Sequence, residues 1–291
     1  MTTAWVFPGQ GSQAIGMDQD LLTQPVGELR FGQAEMILGW SVVDRCQGDL
    51  ETLSRTLYTQ PCLYTVEAIL VDALKVDGRL PDFVAGHSLG EYVALYAAGV
   101  FDFATGLKLV KRRAELMDQA SGGMMAALLG FDEEQLQAAI EATPDVVIAN
   151  DNCPGQVVIS GTPAAVETVL GQVKTRKAVP LKVSGAFHSA FMASAAQEYQ
   201  LLLDIVNFAP AQIPVISNVE PEAETDPQVL KERLVRQMTG PVRWRETGLT
   251  LEKLGVDRVV EVGPGNVLTG LMKRIMSGVT LETIGTLEGV G

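Results

Sequence analysis

The sequence predicts an α/β fold: a large, doubly wound parallel-sheet domain with a small ferredoxin-like subdomain inserted in it. Three observations lead to this prediction. Short apolar runs, typical of buried strands, alternate with amphipathic stretches over most of the chain. Residues 124–183 instead follow the order β-α-β-β-α-β of a ferredoxin-like module. One apolar run, residues 83–85, leads through a Gly-x-Ser-x-Gly turn into a helix.

The composition narrows the class of protein. The 291 residues are 47% apolar and 20% charged, as in ordinary globular domains, with no apolar run long enough to cross a bilayer. The N-terminus lacks signal-peptide features, so the sequence predicts a cytoplasmic protein. A net charge of −13 argues against nucleic-acid binding, because that depends on neutralising phosphates with Lys and Arg. Three cysteines and two histidines without metal-type spacing predict reduced thiols and no metal centre.

The first strand, residues 4–7, is followed by a glycine-containing loop, residues 8–13, which lacks the Gly-Lys-Ser/Thr ending of a P-loop. The loop is either an ordinary turn or a donor loop in which the Gln10 N–H forms half of an oxyanion hole. Residues 18–58 are predicted to be mostly helical. The next helix is predicted to open at a capping Thr59, with Pro61 in its first turn.

The turn Gly-His-Ser-Leu-Gly at residues 86–90 joins the apolar strand to a helix over residues 91–98. A strand that turns sharply into a helix needs glycines around the turn, which then holds Ser88 at its apex. Backbone N–H groups and the dipole of the helix N-terminus stabilise negative charge there. We therefore predict that Ser88 is a nucleophile rather than part of a purely structural turn, with the Leu89 N–H as the second oxyanion donor.

Two adjacent arginines lie on a predicted amphipathic helix over residues 106–118. Arg113 shares the apolar, inward face of this helix, whereas Arg112 lies on its polar face. A buried cation must be paired. Arg113 therefore pairs either with a buried carboxylate of the protein or with the carboxylate of a substrate, and spacing alone leaves both open.

The inserted subdomain is predicted to comprise residues 124–185, and the large domain residues 1–123 and 186–291. Small residues on either side of the insertion, at 122–123 and 184–185, are predicted hinges. Within it we predict strands at 124–131, 145–150, 156–160 and 178–183 and helices at 132–142 and 162–173. Beyond it we predict helices at 192–206, 227–237 and 267–276, one starting at 241–244, and strands at 213–219, 257–262 and 279–284.

His188 is predicted to be the general base. A serine nucleophile needs such a base, and it is most often a histidine. The chain has two histidines, and His87 adjoins Ser88 in the turn, so its side chain is expected to point away from the Ser88 hydroxyl. His188 is the one that remains.

Four signatures resemble the malonyl-CoA:acyl carrier protein transacylase family. They are Phe-Pro-Gly-Gln-Gly-Ser-Gln at 7–13, Gly-His-Ser-Leu-Gly-Glu at 86–91, Phe-His-Ser at 187–189 and Glu-Val-Gly-Pro-Gly at 261–265. Further similar positions are 60–61, 113, 152–156 and 239–244. The resemblance spans nearly the whole chain in the same order.

The resemblance implies a ping-pong transfer. Ser88 takes the malonyl group from malonyl-CoA, and the phosphopantetheine thiol of holo acyl carrier protein then takes it for fatty-acid or polyketide synthesis. The CoA thioester is a substrate, so the resemblance implies no cofactor. It also implies a monomer, with neither nucleic acid nor membrane as a partner.

The same resemblance implies the roles of individual residues. Ser88 is the nucleophile and His188 is the base. Gln10 and Leu89 are the two oxyanion donors, and Arg113 holds the malonyl carboxylate. The remaining substrate-site residues are Gln60, Phe187 and Asn152. A bulky Phe187 is similar to relatives that select malonyl over methylmalonyl groups, and a backbone carbonyl near Leu254 would orient the histidine.

Two other functions stay open. A serine hydrolase such as a thioesterase would use the same turn, although the histidine of α/β-hydrolases usually lies late in the chain and His188 does not. A non-enzymatic binding module would require the pairing of Ser88 with His188 to be accidental.

Overall fold

The computed structural model describes residues 1–289, which form two sheets of six and four strands with helices around them. The strands are β1 (Thr3–Phe7), β2 (Phe83–Gly86), β3 (Met124–Phe131), β4 (Val146–Cys153), β5 (Gln156–Gly161), β6 (Thr175–Pro180), β7 (Val215–Ile216), β8 (Ala223–Glu224), β9 (Arg258–Val262) and β10 (Thr280–Ile284). The α-helices are α1 (Pro25–Leu38), α2 (Val42–Gln47), α3 (Leu50–Leu53), α4 (Thr56–Val76), α5 (Gly90–Ala97), α6 (Phe103–Gln119), α7 (Glu133–Ala142), α8 (Pro163–Gln172), α9 (Ala193–Ile205), α10 (Pro227–Gln237), α11 (Trp244–Lys253) and α12 (Val267–Ile275). Within residues 1–289, none of these helices combines the length and the apolar character that crossing a bilayer demands.

The larger sheet has the strand order β10-β9-β1-β2-β7-β8 and is parallel except for its last pair. Successive residues of a strand point to opposite faces of the sheet. In β1, Trp5 and Phe7 enter one apolar cluster, and Ala4 and Val6 enter another. The central strand is therefore buried on both faces, as expected of a doubly wound sheet covered by helices on each side.

The smaller sheet has the order β4-β5-β3-β6, with every neighbouring pair antiparallel. With α7 between β3 and β4 and α8 between β5 and β6, this is the arrangement of a ferredoxin-like motif. Asp132 and Thr162 cap the two helices by accepting the N–H groups of Gln135 and Ala165. The two sheets confirm the predicted fold class.

Helix α4 begins earlier than predicted. The Thr59 hydroxyl does not cap it but donates to a backbone carbonyl, and Arg55 occupies the N-cap position. Pro61 lies inside the helix rather than in its first turn. The Asp118 carboxylate, from α6, accepts the Leu57 N–H over 3.4 Å. A residue remote in sequence thus helps to complete the helix start, which local patterns do not reveal.

Two predicted strands are placed differently. The apolar run at 213–219 contributes only Val215–Ile216 to the sheet, because the following polar pair, Ser217 and Asn218, turns into the buried site described below. The strand predicted at 178–183 is Thr175–Pro180. It is an exposed edge strand, so it carries few apolar residues, and the apolar residues just after it line a cavity instead.

The chain passes between the two sheets at two adjacent places. A Cβ on Gly123 would lie 2.1 Å from the Ala186 nitrogen, and one on Gly185 would lie 2.7 Å from the Ala120 Cβ. The predicted hinge glycines therefore stand where the two crossings approach too closely for a side chain. The division into domains at these points stays a prediction, and residues 290–291 of the predicted large domain lie outside the described residues.

Candidate active site

Ser88 lies on the turn between β2 and α5 with a φ of +52°, in the left-handed region that non-glycine residues rarely adopt. The glycines on either side of Ser88 have no room for a side chain. A Cβ on Gly86 would lie 1.9 Å from the carbonyl carbon of Gly90, and one on Gly90 would lie 2.0 Å from the Phe7 oxygen. Such a strained, glycine-flanked turn is typical of a nucleophile elbow, with Ser88 at its apex.

The side chain of Asn218 holds this turn from the end of the neighbouring strand. Its Oδ1 accepts the Ser88 N–H over 2.8 Å, and its Nδ2 donates to the Gly86 carbonyl over 2.6 Å. Asn218 was not among the site residues predicted from the sequence. The available signal was an amide just past a buried strand, at the edge of a parallel sheet where active sites lie.

His188 reaches Ser88 from the segment that follows the small sheet. Its Nε2 lies 2.9 Å from the Ser88 Oγ, and its Nδ1 lies 2.9 Å from the Gln237 carbonyl oxygen and 3.2 Å from that of Gly240. A ring nitrogen that faces two carbonyl oxygens carries the proton, which leaves the Nε2 lone pair for the serine. The Ser88 hydroxyl therefore donates to the base that was predicted for it.

The carbonyl that orients His188 is that of Gln237, so the expectation of a carbonyl near Leu254 was wrong. Leu254 follows α11 and is 40% exposed. Gln237 is the last residue of α10, where a carbonyl has no partner within its own helix and is free to accept from outside. Gln237 was also absent from the predicted site, because one glutamine at the end of a helix carries no local signal.

The environment of His188 keeps its ring neutral. Loss of hydration on burial, followed by repulsion from Arg113, lowers the pKa of His188 from its ordinary 6.5 to about 3. The hydrogen bonds to the Gln237 and Gly240 carbonyls oppose this shift without cancelling it. The ring is therefore unprotonated at neutral pH and able to accept the Ser88 proton.

Arg113 extends from α6 into the same place and is 1% exposed. Its Nη1 donates to the Gln60 Oε1 over 2.7 Å, and its Nη2 donates to the Gln237 Oε1 and the Ser88 Oγ, each over 3.0 Å. Within residues 1–289, no carboxylate lies within 4.0 Å of this guanidinium. The structure thus gives Arg113 no direct carboxylate partner from the protein, and a buried cation held only by neutral groups suits an anionic ligand.

Gln10 and Leu89 line the same cavity as Ser88. Neither of their backbone N–H groups donates to a backbone carbonyl within residues 1–289. The Gln10 side chain donates from Nε2 to the Thr56 Oγ1 over 3.2 Å and so ties its loop to the start of α4. The arrangement is compatible with two oxyanion donors, and that role stays a prediction.

The cavity beside Ser88 has a volume of about 90 Å³. Gln60 and Phe187 lie in its wall, and the segment of the small sheet adds Leu181 and Val183. The half-buried nucleophile therefore lies in a small cavity to which residues of both parts of the chain contribute. A larger cleft of about 750 Å³, between α7 and α11, contains none of these residues.

Asn152 is the one predicted site residue that the structure does not bring to the cavity wall. Its Oδ1 accepts from the His87 Nε2 over 2.9 Å, and Asn150 lines the cavity instead. His87 also packs against the Trp244 ring, with ring centroids 5.5 Å apart. The side chain of His87 is thus engaged away from the Ser88 hydroxyl.

Comparison with known sequences gives one family. Residues 4–288 match the model of the acyl transferase domain. A malonyl CoA-acyl carrier protein transacylase from Synechocystis sp. is 59% identical over 288 residues, which are 99% of this chain and 98% of that protein. The protein of the same name from Escherichia coli strain K12 is 39% identical over 97% of this chain and 95% of its own length.

Comparison with solved structures agrees with the sequence comparison. The crystal structure of malonyl-CoA:ACP transacylase from Synechocystis sp. matches with a TM-score of 0.98 and 59% identity over 100% of this chain and 99% of that one. A type II polyketide synthase acyl carrier protein has been solved in complex with its malonyl-transacylase. This structure matches with a TM-score of 0.94 and 38% identity over 100% and 98% of the two chains.

Proposed function

This chain belongs to the acyl transferase domain family, and from that premise we propose how Ser88, His188 and Arg113 carry out its reaction. The reaction transfers a malonyl group from malonyl-CoA to the phosphopantetheine thiol of acyl carrier protein. The acyl carrier protein that holds the malonyl group then supplies it to fatty-acid or polyketide synthesis.

One observation carries the assignment of roles: the buried guanidinium of Arg113 contacts the nucleophile and has no carboxylate of the described chain within 4.0 Å. A lipid or an acetyl group would leave this cation without an anion in direct contact, which is costly in a buried site. The malonyl group brings a carboxylate at one end and the reacting thioester at the other. Arg113 and Ser88 bind these two ends.

In the first half-reaction, the His188 Nε2 accepts the Ser88 proton as the Ser88 Oγ bonds to the thioester carbonyl carbon. The carbonyl oxygen becomes negative, and the N–H groups of Leu89 and Gln10 stabilise it. Loss of one such donor costs other enzymes about 3 kcal/mol. The protonated His188 then gives its proton to the CoA sulfur as the carbon–sulfur bond breaks, which leaves a malonyl ester on Ser88.

The second half-reaction reverses these steps with another thiol. His188 accepts the proton of the pantetheine thiol as the sulfur attacks the ester carbonyl carbon. The ester bond breaks, and His188 returns the proton to the Ser88 Oγ. One serine and one histidine thus serve both halves of a ping-pong reaction.

Specificity follows from the cavity wall. Arg113 favours malonyl over acetyl thioesters, because an acyl group without a carboxylate leaves the guanidinium unpaired. Gln60 fixes the guanidinium by accepting from its Nη1. The ring of Phe187 lies in the wall of a small cavity, which supports exclusion of a 2-methyl substituent.

The proposal includes a cytoplasmic location and a monomeric enzyme that needs no cofactor. The cysteines Cys46, Cys62 and Cys153 are buried as free thiols, which suits a reducing compartment. The CoA thioester enters as a substrate, and every proton transfer in the mechanism uses a side chain of this chain.

Intact mass spectrometry tests the mechanism. Wild-type protein and Ser88→Ala are incubated briefly with malonyl-CoA, before and after addition of holo acyl carrier protein. The expected result is a malonyl adduct on the wild type only, which then moves to the carrier. Release of CoA without transfer to the carrier would make water the acceptor and the protein a serine hydrolase. Ser184→Ala is a matched control, because Ser184 donates to the Met117 carbonyl and takes no part in the reaction.

A further inference from the structure

A buried carboxylate, Glu91, lies one side chain away from Arg113. We propose that Glu91 is the counter-charge of Arg113 and that the Gln237 amide, placed between them, keeps the guanidinium free for a substrate carboxylate. Glu91 and Gln237 are then positioning residues that determine specificity. This inference rests on the proposed function of the site.

The Gln237 side chain forms the link between the two charges. Its Oε1 accepts from the Arg113 Nη2 over 3.0 Å. Its Nε2 donates to the Glu91 Oε2 over 2.8 Å and to the Ser88 carbonyl over 2.9 Å. An amide nitrogen only donates and an amide oxygen only accepts, so the two acceptors at one end fix which end faces Arg113.

The contacts of Glu91 suit an ionised carboxylate. Its Oε2 accepts the backbone N–H of Asn218 over 3.0 Å as well as that of the Gln237 amide, whereas its Oε1 has no hydrogen-bond partner within residues 1–289. Burial raises the pKa of Glu91 above its ordinary value, although the hydrogen bonds from Gln237 and Asn218 and the charge of Arg113 oppose this rise. Donors and a nearby cation favour the charged form. Among the described residues, Arg113 is the cation that acts on this carboxylate.

Indirect pairing has a functional advantage. A buried cation without a counter-charge destabilises a fold by several kcal/mol, whereas a carboxylate in direct contact would occupy the N–H groups that bind the substrate. A neutral amide between the charges preserves their attraction and avoids that contact. Within residues 1–289, the Arg113 Nε–H has no partner, so the guanidinium keeps donor capacity.

Moving the negative charge by one side chain tests the inference. The variants are Glu91→Gln, which removes the charge, and Glu91→Gln/Gln237→Glu, which places it against Arg113. The measurements are the thermal unfolding midpoint, with and without free malonate, and kcat/KM for malonyl-CoA and acetyl-CoA. Glu67→Gln is the matched control. Glu67 is a buried carboxylate of α4 whose oxygens have no hydrogen-bond partner within residues 1–289, so this change makes the same Glu-to-Gln replacement outside the proposed charge pair.

We expect Glu91→Gln to lower the unfolding midpoint and malonate to restore it, more than malonate stabilises the wild type. We expect the double variant to recover the midpoint, because the charge pair is preserved. Its preference for malonyl-CoA over acetyl-CoA is expected to fall by about tenfold or more, because the new carboxylate occupies Arg113. Glu67→Gln is expected to keep both the wild-type stabilisation by malonate and the wild-type preference for malonyl-CoA.

Three results would overturn the inference: wild-type stability in Glu91→Gln, wild-type selectivity in the double variant, or a double variant that does not fold. A wild-type protein that fails to transfer malonyl would instead refute the proposed function. The unfolding measurements with malonate would still test the counter-charge in that case, because they need no turnover.

Discussion

The Arg113 Nη2 donates to the Ser88 Oγ over 3.0 Å, so the anion-binding group and the nucleophile are in direct contact before a substrate arrives. A guanidinium beside the hydroxyl favours the alkoxide that forms when His188 takes its proton. When a malonyl carboxylate takes over this N–H, the Ser88 Oγ keeps His188 as its one hydrogen-bond partner among the described residues. An acyl group without a carboxylate does not displace this contact, so the Arg113 Nη2 continues to donate to the Ser88 Oγ.

Arg113→Ala is expected to lower kcat/KM for malonyl-CoA by about 100-fold or more, because it removes charge-assisted hydrogen bonds to the carboxylate. Activity on acetyl-CoA should rise relative to that on malonyl-CoA. Steady-state transfer assays with both thioesters measure this ratio. Arg112→Ala is the control, since Arg112 pairs with Glu115 on the outer face of the same helix. If Arg113→Ala leaves the ratio of activity on acetyl-CoA to that on malonyl-CoA unchanged, Arg113 does not bind the malonyl carboxylate.

The pH profile follows from the lowered pKa of His188. The base becomes protonated only as the pH falls to its folded pKa of about 3 and below, so kcat/KM should stay level between about pH 5 and 7 rather than halve near 6.5. Arg113→Ala should move the acid limb to higher pH, because repulsion from Arg113 is the second cause of the shift. A wild-type profile in which kcat/KM halves near pH 6.5 would contradict the lowered pKa of His188.

The same shift makes stability depend on pH. Between about 6.5 and about 3 the unfolded chain binds a proton at His188 that the folded chain does not, so the free energy of unfolding falls as the pH is lowered through this range. In His188→Gln this fall should be smaller. Denaturant titrations of both proteins at several pH values measure the difference, and equal slopes against pH would exclude it.

Gly90→Ala is expected to destabilise the protein by more than about 3 kcal/mol, because the new Cβ would lie 2.0 Å from the Phe7 carbonyl oxygen. Gly270, in α12, has open space where a Cβ would lie, since the described residues place no atom within 4 Å of it. Gly270→Ala should therefore stabilise the fold by about 0.5–1 kcal/mol. Denaturant unfolding measures both changes, and similar values for the two variants would refute the steric argument.

Asn218→Leu keeps the volume of the side chain but leaves the Ser88 N–H and the Gly86 carbonyl without partners. Each unpaired buried group costs about 1–3 kcal/mol, so unfolding should become easier by several kcal/mol. The kcat should also fall, because Ser88 loses the bond that holds its backbone. Asn207→Leu is the exposed control. Wild-type kcat in Asn218→Leu would show that the turn keeps its shape without this amide.

The features that local patterns could predict were those with a local cause. The glycines at 86 and 90 reveal the sharp turn at Ser88, and helical spacing places Arg113 inward. Asn218 and Gln237 could not be found in this way. Their roles depend on contacts with residues 130 and 149 positions away, and nothing near them in sequence marks the distant partner.

The start of α4 was misplaced for the same reason. Its first turn is completed by Asp118, 61 positions from the N–H that it accepts. Conversely, the apolar pattern predicts that the strand continues to Val183, although the strand ends at Pro180 and Leu181 and Val183 line the cavity beside Ser88. Apolar character shows that a segment is covered by something, and it does not show whether a sheet or a ligand covers it.

The four residues that are joined by hydrogen bonds at the site come from α6, the turn after β2, the segment after the small sheet and the end of α10. The Ser88–His188 contact alone spans 100 positions, and that between Ser88 and Gln237 spans 149. A chain that has folded only one of these regions therefore holds no partial catalyst. Turnover should vanish as soon as any one of these regions unfolds during denaturation, so an activity assay counts completely folded molecules.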